Sequence, residues 1–230
     1  MRTTRLTDNL FQVNRWAFVN AYLVREDDGF TLVDTMLAGS AGGLLAAAAA
    51  LGSPIRRIAL THGHGDHIGS LDALRERLGD AVQVLVPERD ARIVAGDRSL
   101  APGEGDRKLR GGWPKVATTP DVLLQPGDVV GSLEVVASPG HTPGHVAYLD
   151  RRDQALVCGD GYATKGGTSV PSRNHLRFPL VYLATWDPGR TLASARALRG
   201  LNPTVLAPGH GPGLAAPGAE MDRAIARAAR

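Results

Sequence analysis

The sequence has little cysteine, no block of like charge and no long apolar run. Cys158 is the only cysteine in 230 residues, so the chain cannot close a disulfide on itself. That usage suits a reducing compartment, and a cytoplasmic location is expected. Nowhere do five like charges stand in a row. A nucleic-acid groove needs clustered positive charge, so a formal net charge of +3 reads as a solvated surface, with some allowance for an anionic substrate. No nucleic-acid partner is expected. The most apolar stretch, MLAGSAGGLLAAAAALG from Met36, is short for a membrane span and rich in Ala and Gly, which favours a packed helix. Residues 1–15 carry Arg2, Arg5, Asp8 and Arg15 and lack the apolar core of a secretory signal. No membrane association is expected. A Gly-x-Ser-x-Gly elbow is also absent, which leaves a covalent serine mechanism without support.

An apolar share of 43% and a charged share of 21% describe a folded soluble chain rather than a disordered one. At this length one α/β domain over 1–230 with a full core is the expected organisation. β-rich segments come first: FQVN from Phe11, AFVNAYLV from Ala17 and FTLVD from Phe30, with DDG ahead of Phe30 as a hairpin signal. The pattern then predicts a helix over 38–51 and a strand, RRIALTH, from Arg56. A helix with Leu71, Leu74 and Leu78 on one face follows, then the strand VQVLV from Val82 and a short helix with Pro87 in its first turn. Residues 97–120, rich in Gly, Pro and charge, read as a long loop or lid. Strands resume at Leu133, His145 and Gln154, and a second irregular stretch covers 161–184. The chain closes with a helix over 188–198, the strand TVLA and a helix from Pro217. Two β-rich halves, each carrying helices, imply two sheets packed face to face with helices outside.

Histidine carries the chemistry. His62, His64 and His67 fall within THGHGDHIGS, between a predicted strand and a predicted helix. Gly63 and Gly65 let that backbone curl. His62 and His64 share a face, while Asp66 and His67 turn toward a neighbouring point, so one loop can serve two adjacent metal ions. Four ligands are too few for two sites. The rest of the chain supplies His141 in SPGHTPGH, Asp160 in VCGDG and His210 in APGHGPG, each where a strand gives way to a Gly-rich turn.

In order and approximate spacing, this set resembles the metallo-β-lactamase-like superfamily, from about Phe11 to Gly213. The resemblance implies an αββα sandwich of two mixed β-sheets with helices on the outer faces and metals at one edge. It implies that His62, His64 and His141 hold one ion, that Asp66, His67 and His210 hold a second, and that Asp160 bridges them. Asp34, at the end of TLVD, matches the first short motif and would orient the metal loop. Two divalent ions are implied, zinc first, with manganese, iron or cobalt as alternatives. The implied reaction is hydrolysis by a hydroxide bridging the ions, with Asp66 as the catalytic carboxylate that orients it.

The substrate expected is a small ester, lactone or thioester. By the same resemblance, one branch of true β-lactamases has a cysteine where Asp160 stands and others have a serine, so antibiotic hydrolysis is not the expected role. The tail after His210 is short for the helical domain of glyoxalase II. Tyr162 lies two residues past Asp160, where quorum-quenching lactonases often place Tyr at three. A mononuclear iron oxygenase of the persulfide dioxygenase type and a phosphodiesterase are the alternatives. A non-catalytic binding protein ranks last, because no ligand of the set is missing. His145 either supports the metal ligands from behind or simply packs. Trp16, Trp113, Tyr162, His175, Arg177 and Phe178 are candidates for the pocket wall, because they fall in the first hairpin or near the long loops. Cys158 is expected in the core.

Overall fold

Alternation along the strands decides the layering. The computed structural model describes all 230 residues. Strands β1 (Arg2–Arg5), β2 (Leu10–Arg15), β3 (Val19–Glu26), β4 (Gly29–Val33), β5 (Ile55–Ala59), β6 (Gln83–Pro87) and β7 (Val122–Leu124) lie side by side in sequence order. Pairing is antiparallel as far as β4 and parallel from β4 to β7. The second sheet holds β8 (Val129–Val130), β9 (Leu133–Ala137), β10 (Val146–Asp150), β11 (Ala155–Gly159), β12 (Val205–Pro208) and β13 (Leu214–Ala215), in the order β13-β12-β11-β10-β9-β8. Only β11 and β12 run parallel there.

In β3, Ala21 and Leu23 face one core while Tyr22 and Val24 face another, as the two-residue period of a strand requires. The central core lies between the sheets, where Tyr22, Val33 and Leu85 meet Val135, Tyr148 and Val157. Helices α1 (Ala41–Ala50), α2 (Gly65–Ile68), α3 (Leu71–Leu78) and α4 (Glu88–Val94) belong to the first half. Leu44, Leu71, Leu74 and Ile93 of these helices are buried, and the first three share a core with Leu23, Leu32 and Ile58. Helix α5 (Leu180–Ala184) is a single short turn region, and α6 (Pro188–Gly200) and α7 (Gly218–Ala228) cover the second sheet. Ala195, Leu198, Met221 and Ala224 pack there on Leu149, Leu156 and Cys158. Each fully buried Leu or Ile contributes about 1.5–3 kcal/mol. The αββα sandwich expected from the pattern is therefore the observed fold.

Several details differ. The predicted first helix begins at Ala41, three residues late, because 38–40 form a bend and turn that ends in Ser40. The strand read from Ala17 starts at Val19 instead. Trp16 and Ala17 take left-handed φ of 59° and 50° and close a hairpin through Phe18 N–H donating to Arg15 O at 3.0 Å. Strand β1 is exposed at every residue and so carries no alternation to read. Strands β7, β8 and β13 are two or three residues long, too short to show a period. Helix α5 falls inside the stretch read as irregular. No helix is long and apolar enough to cross a membrane.

The loops that follow β4, β5, β6, β9, β11 and β12 gather at one edge of the sandwich, the place where parallel strands end and ligands bind in such sheets. Two buried tyrosines tie that edge across the layers. Tyr22 of the first sheet donates to Pro208 O of the second at 2.6 Å, and Tyr148 of the second donates to Leu60 O of the first at 2.6 Å. Both acceptors stand two residues before a histidine, His210 and His62. Tyr148→Phe should cost about 1–3 kcal/mol, read as a lower urea midpoint with an unchanged slope. An unaltered midpoint would mean that this bond carries no net stability.

Candidate metal centre

Five imidazoles and two carboxylates meet at this edge because the segments after β5, β9, β11 and β12 end there. His62 and His64 come from the turn between β5 and α2, Asp66 and His67 from α2 itself, His141 from the β9–β10 turn, Asp160 from just past β11 and His210 from just past β12. Their ligand atoms form three overlapping groups: His62, His64 and His141; His62, His67 and Asp160; and Asp66, His67 and His210. Within each group the atoms lie within 4.8 Å of one another.

Each histidine has one ring nitrogen committed to an oxygen. Thr61 Oγ1 donates to Asp34 Oδ2 (2.8 Å), so it accepts from His62 Nδ1 (3.0 Å). His67 Nδ1 donates to Asp34 Oδ2 at 2.8 Å. His210 Nδ1 donates to Phe18 O at 2.8 Å, and His64 Nε2 to Arg110 O at 2.9 Å. Thr185 Oγ1 donates to Val181 O (2.8 Å) and accepts from His141 Nδ1 (3.0 Å). The second nitrogen of each ring then points into the cluster, the arrangement that prepares histidine for a metal. His64 Nδ1 and His141 Nε2 face each other at 3.0 Å. Two lone pairs at that distance repel unless a cation or proton lies between them. His62 Nε2, His67 Nε2 and Asp160 Oδ1 are buried without any hydrogen-bond partner. Such orphans are costly in a folded interior, and a divalent cation would satisfy all three. Asp160 sits centrally, its Oδ2 3.3 Å from His141 Nε2 and 3.4 Å from His210 Nε2, its Oδ1 3.5 Å from His67 Nε2. Gly209 is required beside it, since a Cβ there would strike Asp160 Oδ1 and the His67 ring.

The protonation pattern divides the site. Burial, helped by the charge of His67 and His64, pushes His62 well below its ordinary pKa. Burial likewise drives His141 down, against the attraction of Asp160. On the other side burial opposes the proton, but Asp160 and its neighbouring carboxylates overcome it. They raise His67 well above the ordinary value and His210 to about 9. Asp66 is held low, since His67 and His210 outweigh its burial.

The structure brings all seven expected ligand residues together. Asp34, at φ 64°, stands behind them and accepts from Thr61 N, Thr61 Oγ1 and His67. His145 has both nitrogens engaged, Nδ1 with Ser138 and Nε2 as acceptor from Asp160 N–H at 3.0 Å. Burial lowers its pKa to about 4, so it stays neutral and holds the Asp160 backbone. Phe178 and Phe18 pack on His210 with centroids at 5.3 and 5.2 Å, and Trp113 lies 4.8 Å from the His64 ring.

Four pocket candidates are misplaced by the sequence reading. Tyr162 is fully buried in the α6–α7 core and donates to Ala195 O at 2.7 Å; its chain direction after Asp160 turns it inward. Trp16 is 71% exposed at the hairpin tip under the Arg15 guanidinium. His175 lines a separate cavity with Arg173 and Arg227 beside α7. Arg177 is exposed and packs its Cβ side against Gly166, away from the cluster.

One buried acid escaped the sequence reading. Asp90, in the first turn of α4, is fully buried and accepts from Gly63 N (2.9 Å), Thr142 Oγ1 (2.7 Å) and Gly144 N (2.8 Å). It thus clasps the His62–His64 loop to the His141 loop. Burial pushes its pKa up to about 6, against the pull of those three donors. No histidine neighbours it in sequence, and an acid in a first helical turn passes for a capping residue.

A family model, the Metallo-beta-lactamase superfamily, matches residues 14–210. The chain belongs to this superfamily. It is 41% identical over 211 residues to the uncharacterized protein YobT of Bacillus subtilis (strain 168), covering 91% of this chain and 90% of that one. It is 32% identical over 215 residues to a hydroxyacylglutathione hydrolase of Acidiphilium cryptum (strain JF-5), covering 88% and 75%. Among solved structures, TTHA1623 in a di-iron-bound form matches with a TM-score of 0.64 and 30% identity over 87% of this chain and 91% of that one. The His and Asp cluster of this superfamily member therefore has the donor chemistry for divalent metal.

Metal entry at Asp66, His67 and His210 must expel protons. Near neutral pH His67 and His210 both lie below their raised pKa values and are charged. Zinc titration of metal-free protein in buffers of different ionisation heat should report about two protons released there. Affinity should rise with pH through about 9, as His210 loses its proton unaided. A pH-independent affinity would refute the charged pair. Asp90→Asn should weaken retention at the His62, His64 and His141 group by about 10–100-fold in chelator competition, with little change at the other group.

Proposed function

We propose that the chain is a dinuclear metal-dependent hydrolase of small ester, lactone or thioester substrates. The observation that carries this reading is the convergence of five imidazoles on two carboxylates, with Asp160 between the groups. His62, His64 and His141 would hold one ion, Asp66, His67 and His210 the other, and Asp160 both. Nitrogen and carboxylate donors suit zinc, and the di-iron form of TTHA1623 supports iron as the alternative. Two such ions, when bound, polarise a carbonyl oxygen and make water at neutral pH a usable nucleophile.

The protein's own groups do the rest. Asp66 is the least buried of the cluster carboxylates, with its side chain 28% exposed, so it faces incoming water as well as His210. It would orient that water and take its proton. Phe18 and Phe178 wall the His210 side and Trp113 the His64 side, which limits bulk water around the reacting carbonyl. A hydroxyacylglutathione hydrolase among the relatives supports thioesters as one substrate class. The same reading takes a small molecule as the partner and, from the cysteine usage, the cytoplasm as the location.

Elemental analysis of protein purified without added metal tests this directly. About two ions per chain are expected, falling toward one in His67→Ala, together with turnover on a panel of lactones, thioesters and carboxylic esters. One iron per chain, unchanged in the variant, with oxygen consumed in the presence of persulfide would replace the hydrolase with an oxygenase. Cleavage of phosphodiesters alone would replace the substrate class.

A further inference from the structure

The long segment between α4 and β7 lines an open surface cavity of about 370 Å³ beside the metal centre. Trp113 and Gly111 form the shared wall. The Trp113 ring lies 4.8 Å from His64 on one side and lines the cavity on the other. The segment has no helix or strand of its own, yet it is fixed to the ligand loop. Arg110 O accepts from both His64 Nε2 and Trp113 Nε1 at 2.9 Å, and Gly65 N–H donates to Gly112 O at 2.9 Å.

The charge in this cavity is one-sided. Arg98, Arg107 and Lys108 line it against a single carboxylate, Asp106. The segment's other acids are committed elsewhere, Glu104 to Arg89 at 2.7 Å and Asp97 to Arg92 at 2.6 Å. Arg107 reaches Asp187 only at 4.0 Å, and Arg98 makes one long bond of 3.4 Å to Trp113 O. Most other arginine side chains near an acid on this surface sit closer to it, as Arg57 does to Asp28 at 2.7 Å. A cavity with uncompensated cations beside an aromatic wall suits a ligand with an anionic group and a flat or aliphatic stem.

We propose that this cavity is a substrate subsite for a carboxylate or phosphate group, held by Arg98, Arg107 and Lys108, on a molecule whose scissile carbonyl lies across Trp113 at the metal centre. The proposal rests on the hydrolase reading above and narrows it from neutral lactones to anionic esters and thioesters. In the reaction, water oxygen forms a bond to the acyl carbon, the bond from that carbon to the leaving oxygen or sulfur breaks, and the leaving atom takes a proton. No other reactant is needed. The attraction comes from exposed cations, so it weakens with added salt.

The test has a binding arm and a turnover arm, both on the metal-loaded full chain. Inorganic phosphate and succinate are titrated while tryptophan fluorescence is followed, for the wild type, an Arg107→Glu/Lys108→Glu double variant and Arg196→Glu. Arg196 is exposed on α6, outside the cavity lining, and serves as the control for changed net charge. The double variant should bind at least one of the two anions about tenfold more weakly than either other protein, the size that two exposed charge contacts supply. Whichever anion responds identifies the group. In the second arm, a neutral thioester is compared with the same acyl group on a carboxylate-bearing and on a phosphate-bearing thiol. The wild type should prefer one anionic form by about tenfold in kcat/KM at low salt, and the double variant should lose that preference. Equal binding in all three proteins, or equal turnover of neutral and anionic thioesters by the wild type, would overturn the subsite. Variant-sensitive anion binding without turnover of any thioester or ester would uphold the subsite and overturn the hydrolase reading instead.

Discussion

Everything at the working edge follows from one constraint: five imidazoles and two acids are packed where water cannot reach most of them. A buried polar atom without a partner costs free energy, and His62 Nε2, His67 Nε2 and Asp160 Oδ1 are such atoms. Hydrogen bonds satisfy one side of every ring, and the convergent sides of His62 and His67 are left without a partner. Core packing between the sheets is arranged around this deficit rather than relieving it.

Holding that geometry falls to groups that never enter the cluster. Asp34 and Asp90 each accept three hydrogen bonds and act on opposite flanks of the β5–α2 loop. Asp34 anchors Thr61 and His67, while Asp90 anchors Gly63 and the His141 turn. Asn20 and Gln12 in the first sheet hold the 208–213 segment through Pro208 O and Gly211 O. The loops are thus positioned by strands, which are the least deformable parts of the fold.

The sequence made the centre legible because metal chemistry is selective about residue type and because each such residue lay beside a Gly-rich strand end. The fold was legible where β-rich apolar runs were bounded by turn residues, as in β3, β10 and β11. It was illegible where an element was too short for a period, as in β7, β8 and β13, or exposed on both faces, as in β1. Asp90 stayed hidden because its role depends on donors 27 and more residues away in sequence. Tyr162 was misread for a related reason. Position after Asp160 fixes nearness along the chain, but the turn at Gly159, with φ 48°, decides which way the side chain faces. Phe178 and Trp113 pack against His210 and His64, because long loops over a strand edge have little else to pack upon.

The parentage of the cluster residues has a consequence for how the protein comes into being. The first half of the chain contributes His62, His64, Asp66 and His67, and the second half contributes His141, Asp160 and His210. Each group of three that includes His141, Asp160 or His210 draws on both halves. Neither half alone presents a complete cradle. The cluster of seven is therefore complete only when β12 has emerged and the two sheets have docked, so its assembly reports on the joining of the two halves.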